Sequence, residues 1–141
     1  MALEDFHFRL PIRVVFGDLD YYRHVNNARY ITWCESARLD WLEAALGVPL
    51  ISPRAVIMAS QTYAYEKQVG YHEELVMGCR CSRLGRKSLE LTYELWRGEE
   101  RTGHGTSALV AFDYDANASI AVPADWRARI VAYERVAPAG A

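Results

Sequence analysis

The chain has 141 residues, with 16 Lys and Arg against 18 Asp and Glu and a formal charge of -2. That length reads as one domain, residues 1–141, able to bury about two-thirds of its unfolded surface, and the charge balance leaves no basic footprint for nucleic acid. No run approaches the ~20 apolar residues of a membrane helix, and the acidic start, Met1-Ala2-Leu3-Glu4-Asp5, is unlike a signal peptide.

Phe6, Phe8, Leu10, Ile12, Val14 and Phe16 alternate with His7, Arg9, Pro11 and Arg13, which predicts a half-buried strand. Pro11 has no N–H for a central ladder, so part of that strand belongs at an edge or a bulge. After a polar link the period changes to 3.6. From about Asn27 to Leu46, Tyr30, Trp33, Cys34, Ala37, Trp41, Leu42 and Ala45 fall on one helical stripe, and Gly47 followed by Pro49 stops it. So broad an aromatic stripe requires a sheet to cover.

Four more strands follow with no helix between them. Residues 55–68 are extended, with Ala59, Gln61, Tyr63 and Tyr65 on one face. Leu75, Met77, Cys79 and Cys81 share a face of the next strand. Cys79-Arg80-Cys81 lacks the C-x-x-C redox spacing, so these thiols read as core packing, and with Cys34 they make an odd number. A reduced, cytoplasmic protein is the natural reading. The turn at Leu84-Gly85-Arg86 leads to Leu89, Leu91, Tyr93 and Leu95. The turn at Gly98-Glu99-Glu100 leads to Thr106, Ala108, Val110, Phe112 and Tyr114. Short turns between alternating runs mean antiparallel hairpins, and Pro123 to Val136 reads as a closing helix with proline at its start. One strand, one long helix, then a meander is an α+β pattern with the helix packed on one sheet face.

The link between first strand and helix carries the chemistry. Residues 18–30 read Asp-Leu-Asp-Tyr-Tyr-Arg-His-Val-Asn-Asn-Ala-Arg-Tyr. A single Asp or Asn there is explained by a turn or an N-cap. Two carboxylates, an imidazole and two amides exceed what one cap requires, and such groups at a strand-to-helix junction are a common way to build a site.

The order Asp18-x-Asp20-x-x-x-His24-Val25-Asn26-Asn27-x-x-Tyr30 resembles the signature of the 4-hydroxybenzoyl-CoA thioesterase branch of the acyl-CoA thioesterases, and is similar to segments of plant acyl-carrier-protein thioesterases. Arg83-Leu84-Gly85-Arg86-Lys87-Ser88-Leu89 and Ala121-Val122-Pro123 are also family-like, whereas Tyr65-Glu66-Lys67-Gln68-Val69 departs where many members carry a proline and a following Gly-Asp. The resemblance implies a hot-dog fold, a curved antiparallel sheet of about five strands around one long helix. It further implies hydrolysis of a coenzyme A or acyl-carrier-protein thioester and a homodimer or homotetramer with sheets joined edge to edge. By position in the motif, the backbone N–H of Asn27 is the polarising donor.

Thioester hydrolysis needs a nucleophile or base at the carbonyl carbon and a donor for the oxygen as it gains charge. Asp20 suits either attacking carboxylate or general base, and first-turn helix amides suit the oxygen. Coenzyme A thiolate is a fair leaving group, so neither a metal nor a cofactor beyond the substrate's own coenzyme A is required. His24 either hydrogen-bonds Asp20, shapes the acyl pocket or serves structure. Tyr30 either packs or touches substrate, and Asn26 reads as a cap. Arg86 and Lys87 either hold coenzyme A phosphates or form a solvated hairpin tip. The rival readings are a metal site on Asp18, Asp20 and His24, an aspartyl phosphatase, a hot-dog dehydratase and a non-catalytic acyl-binding domain. The phosphatase reading requires a parallel sheet that this pattern lacks.

Overall fold

Asn26 and Gly47 set the limits of the central helix. The computed structural model describes residues 2–141 and places α1 at Asn27–Leu46, the span that the periodicity predicts. Asn26 caps it by accepting the Ala28 N–H at 2.9 Å. Gly47 ends it in the left-handed region at φ +67°, where a side chain would be strained. Tyr30, Trp33, Cys34, Ala37, Trp41, Leu42 and Ala45 are all buried, and each large side chain on that stripe contributes about 1.5–3 kcal/mol by leaving water.

The sheet beneath it consists of β1 (Phe8–Arg13), β2 (Arg54–Tyr65), β3 (Glu74–Leu84), β4 (Ser88–Arg97), β5 (Glu100–Asp113) and a short β6 (Ala118–Ser119); α2 (Ala124–Tyr133) closes the chain. All pairings are antiparallel, in the order β1-β3-β4-β5-β2, with β6 beside β5. This curled sheet with α1 on its inner face is the hot-dog arrangement. β1 lies at an edge, where Pro11 is tolerated.

Three details depart from the sequence reading. The first strand ends at Arg13 rather than running to Phe16, because residues 16–18 form a 3-10 turn that leaves Phe16 75% exposed. Only β3, β4 and β5 form the meander. β2 pairs with β5 at the far edge and has a bulge between Met58 and Ser60. In β5 the inward set is Gly103, Gly105, Ser107, Leu109 and Ala111, while Thr106, Ala108, Val110 and Phe112 are only half-buried. Alternation alone leaves that choice open when both sets are largely apolar, since a one-residue slip exchanges the faces.

The inward cysteines are core residues. Burial raises the Cys34 and Cys81 thiols to about 12 and pushes Cys79 well above its ordinary value, so all three stay protonated and inert at neutral pH. Among the described residues no helix is long and apolar enough to cross a membrane.

Candidate active site

The polar link folds back on itself as a miniature hairpin. Leu19 bridges to Val25, the Asp20 N–H donates to the His24 carbonyl at 2.9 Å, and the Asn26 N–H donates to the Asp18 carbonyl at 2.8 Å. At the tip, the Arg23 N–H returns to the Asp20 carbonyl at 3.1 Å, and Arg23 itself takes φ +67°. A turn closed by a left-handed residue is a common three-residue hairpin loop, and a non-glycine there costs on the order of 1 kcal/mol. This register sets Asp20 directly opposite His24, so both side chains leave the ribbon on one face.

The two aspartates do different things. Asp18 is buried: its Oδ2 accepts the Val15 N–H at 2.9 Å, and its Oδ1 lies 3.7 Å from Nε of Arg29. Asp20 is half-buried; its Oδ1 accepts the Tyr22 N–H at 2.8 Å, and its Oδ2 has no partner among the described residues. One carboxylate is consumed by the turn, and the other is held by one oxygen with the second free.

The first turn of α1 is equally selective. The Ala28 N–H goes to Oδ1 of Asn26 and the Arg29 N–H to the Asn26 carbonyl, both at 2.9 Å. The Asn27 N–H has no acceptor among the described residues. It stands at the positive end of a 20-residue helix, equivalent to roughly half a unit charge. Asn27 lines a cleft of about 240 Å³ together with His24, Val25, Tyr30, Tyr65 and residues 66–68. Tyr30 is 5% exposed, and its ring centroid lies 5.3 Å from Trp33, 5.3 Å from Tyr63 and 5.2 Å from Tyr65. Burial, then Tyr65, Glu73 and Asp20, raises its hydroxyl to about 12, so it remains a donor at neutral pH.

Beyond Tyr65, the sequence reading missed the wall of this cleft. The Glu66 and Lys67 N–H groups share the Thr102 carbonyl at 3.0 and 2.9 Å. Arg97 holds the Gln68 carbonyl at 3.1 Å and pairs with Glu73, which also accepts the Gly70 N–H. Hydrogen bonds from Arg101 and then His104 hold the Glu66 carboxyl below its ordinary range. The wall in turn carries the hairpin: the Val69 and Glu73 carbonyls accept the N–H groups of Val25 and Val14, both at 3.0 Å. The one sequence signal for it was the departure from the family pattern at Tyr65–Val69.

Residues 14–130 match the thioesterase-like superfamily. The chain belongs to that superfamily. Among solved structures, this thioesterase-like protein is 32% identical to PA2801 of Pseudomonas aeruginosa, assigned as a thioesterase, over 89% of this chain and 98% of that one, with a TM-score of 0.81. It is 30% identical to a thioesterase-superfamily protein of Jannaschia sp. CCS1 over 93% and 85% of the two chains, with a TM-score of 0.82. The fold is also that of the Staphylococcus aureus protein SAV2348, solved in complex with CoA, at 14% identity, 95% and 87% coverage and a TM-score of 0.84. No curated protein matches the chain in sequence.

Within one thioesterase-like chain, His24, Asn27 and Tyr30 line one cleft and Asp20 sits opposite His24 on the hairpin, but Arg86 and Lys87 do not join them. The hairpin binds ahead of β3, through Val69, and the chain leading into it binds Glu73 at the start of β3, whereas Arg86 and Lys87 are exposed just past the end of β3 at Leu84. The intervening strand is 11 residues long, about 30 Å or more at ~3.3 Å per residue. A second, apolar groove of about 430 Å³ lies between the later turns of α1 and β2, bordered by Leu42, Ile57 and Met58, with Leu50 and Ile51 exposed beside it. No three His, Cys, Asp or Glu side chains converge as a metal site among the described residues.

Proposed function

We propose that this protein is a single-domain acyl-CoA thioesterase of the 4-hydroxybenzoyl-CoA thioesterase branch, releasing a free carboxylic acid and coenzyme A. The observation that carries this reading is that one strand-to-helix link holds both an Asp20 oxygen free of partners and, at the start of α1, a free Asn27 N–H. In that reading the Asn27 N–H receives the carbonyl oxygen as charge develops on it. Asp20 either attacks the carbonyl carbon itself or takes a proton from the attacking water; in both cases the C–S bond breaks and the thiolate leaves. His24 and Tyr30 line the acyl side. Superfamily membership and the CoA-bound neighbour support a CoA thioester over an unrelated ester.

The site in this account is completed by a homodimer. β2 is a 12-residue strand at the end of the sheet with one edge unpaired, and Ile57 and Met58 on it are 42% and 38% exposed. A second copy added at that edge brings its own β3–β4 turn into play, so that Arg86 and Lys87 of one copy serve the coenzyme A phosphates bound at the other. The three buried free thiols suit a cytoplasmic setting.

The test is release of free thiol from a panel of acyl-CoAs and one acyl-carrier-protein thioester, read with a thiol dye. Catalytic release from at least one acyl-CoA is expected. Release from the carrier-protein substrate alone moves the assignment to the carrier-protein thioesterases. Tight binding of acyl-CoA without any release leaves a non-catalytic acyl-binding protein.

A further inference from the structure

Tyr65 is the last residue of β2 and is 51% exposed in the wall of the cleft. Its hydroxyl donates to the main-chain carbonyl of Asn27 at 3.1 Å. That carbonyl belongs to the first helical residue of α1, the same residue whose N–H is free. The ring is fixed by its neighbours, 5.2 Å from Tyr30 edge-on and 4.9 Å from Tyr63. Immediately after it, Glu66 is clamped by Arg101 at 2.8 Å and by His104 at 3.2 Å, which anchors the end of β2 to β5.

The floor below is shaped for this arrangement. In β5, Gly103 and Gly105 lie under the Tyr63 ring, and a Cβ on Gly103 would meet the Tyr63 hydroxyl at 2.5 Å. The absent side chains let Tyr63 lie against the sheet, which leaves room for Tyr30 and Tyr65 to stack around it. Tyr63 is therefore a packing residue, Tyr30 packs on it while lining the cleft, and Tyr65 has its hydroxyl directed at the helix start.

We propose that Tyr65 is a positioning residue: its hydroxyl ties the carbonyl of Asn27 to the end of β2 and so, by holding that residue from its C-terminal side, restricts where its free N–H points. This rests on the role given to Asn27 above. Tyr65 acts through Asn27 and does not touch the reacting atoms. A helix end is the part of a helix that frays first, and a donor that must meet an oxygen within a few tenths of an ångström loses effect when it moves. The expected signature is a loss in kcat without a loss in substrate affinity.

The experiment compares Tyr65→Phe, which removes only the hydroxyl, with Tyr65→Leu, which also removes the ring. Each is read by thiol release, thermal unfolding and amide hydrogen exchange along α1. Tyr65→Phe is expected to lower kcat about 3- to 10-fold with KM and unfolding temperature unchanged, and to speed exchange at Ala28 and Arg29 relative to the middle of the helix. An unchanged exchange pattern overturns the proposal whatever the activity, and so does a raised KM with kcat intact, which makes Tyr65 a substrate contact. A loss confined to Tyr65→Leu also overturns it, because packing alone would then suffice. If the parent protein releases no thiol from any substrate, the functional reading fails, and the exchange data still decide whether Tyr65 fixes the helix start.

Discussion

Glu134 shows how much a single side chain can carry outside the site. Its Oε2 accepts both the indole N–H of the fully buried Trp41 at 3.1 Å and the Cys81 N–H at 2.5 Å, while its Oε1 is buried without a partner. Cys81 flanks the bulge in β3, so its N–H lacks a ladder partner and takes the carboxylate instead. Burial raises the Glu134 pKa above its ordinary 4.5, more than the Cys81 and Trp41 bonds and the charges of Arg80 and His7 lower it. A raised carboxyl pKa means the folded state holds the proton more tightly than the unfolded chain. Its contribution to stability is therefore complete below 4.5 and is lost as pH rises through the folded value. Relative to Glu134→Gln, the parent is expected to gain stability in urea unfolding as pH falls from 7 towards 4.5; a difference that is flat in pH contradicts this. Glu134→Ala strands two buried donors and should cost about 2–4 kcal/mol. Reading Asn26 as a cap and Asp18 as a turn residue was possible from the sequence because their partners are within three residues. The bonds from Glu134 to Trp41 and from Tyr65 to Asn27 were not legible, since those partners lie 93 and 38 residues away.

At the scale of elements, α1 was readable to its ends because helical period, an asparagine cap and a glycine stop all act locally. The place of β2 was not, because alternation states that a segment is a strand without naming its neighbour; its pairing with β5 is a long-range outcome. The same limit hid the Gly103-His104-Gly105 run, whose meaning appears only when Tyr63 and Ala64 are laid across it. Gly103→Ala would press a methyl group against the Tyr63 hydroxyl at 2.5 Å and the Ala64 carbonyl at 2.9 Å. Backbone on an adjacent strand does not yield cheaply, so a loss of about 1–3 kcal/mol in stability is expected. Because the displaced strand ends at Tyr65, kcat should fall as well. A Gly103→Ala protein with parental unfolding midpoint and parental kcat would show that the slot has no such role.

For the whole molecule, the hot-dog fold came from the residue pattern and the signature at 18–30 together, and superfamily membership agrees with it. The assembly is the next level, since one chain separates Arg86 and Lys87 from Asp20 by the length of β3. A mass of at least twice 16.0 kDa is expected by light scattering at micromolar concentration. Ile57→Lys, at the open edge of β2, should reduce that mass and lower activity. A fully active 16.0 kDa monomer would remove the dimer from the account. The most direct measurement is kcat for thiol release by Asp20→Asn on the protein's best acyl-CoA, with Asp18→Asn and unfolding temperatures as controls. The carboxylate's loss should lower kcat by about 10²-fold or more while acyl-CoA still binds. Asp18→Asn should cost about 1 kcal/mol of stability through its turn and far less of the rate. A folded Asp20→Asn protein turning over at near the parental rate would contradict the central claim and shift attention to Asp18 or His24.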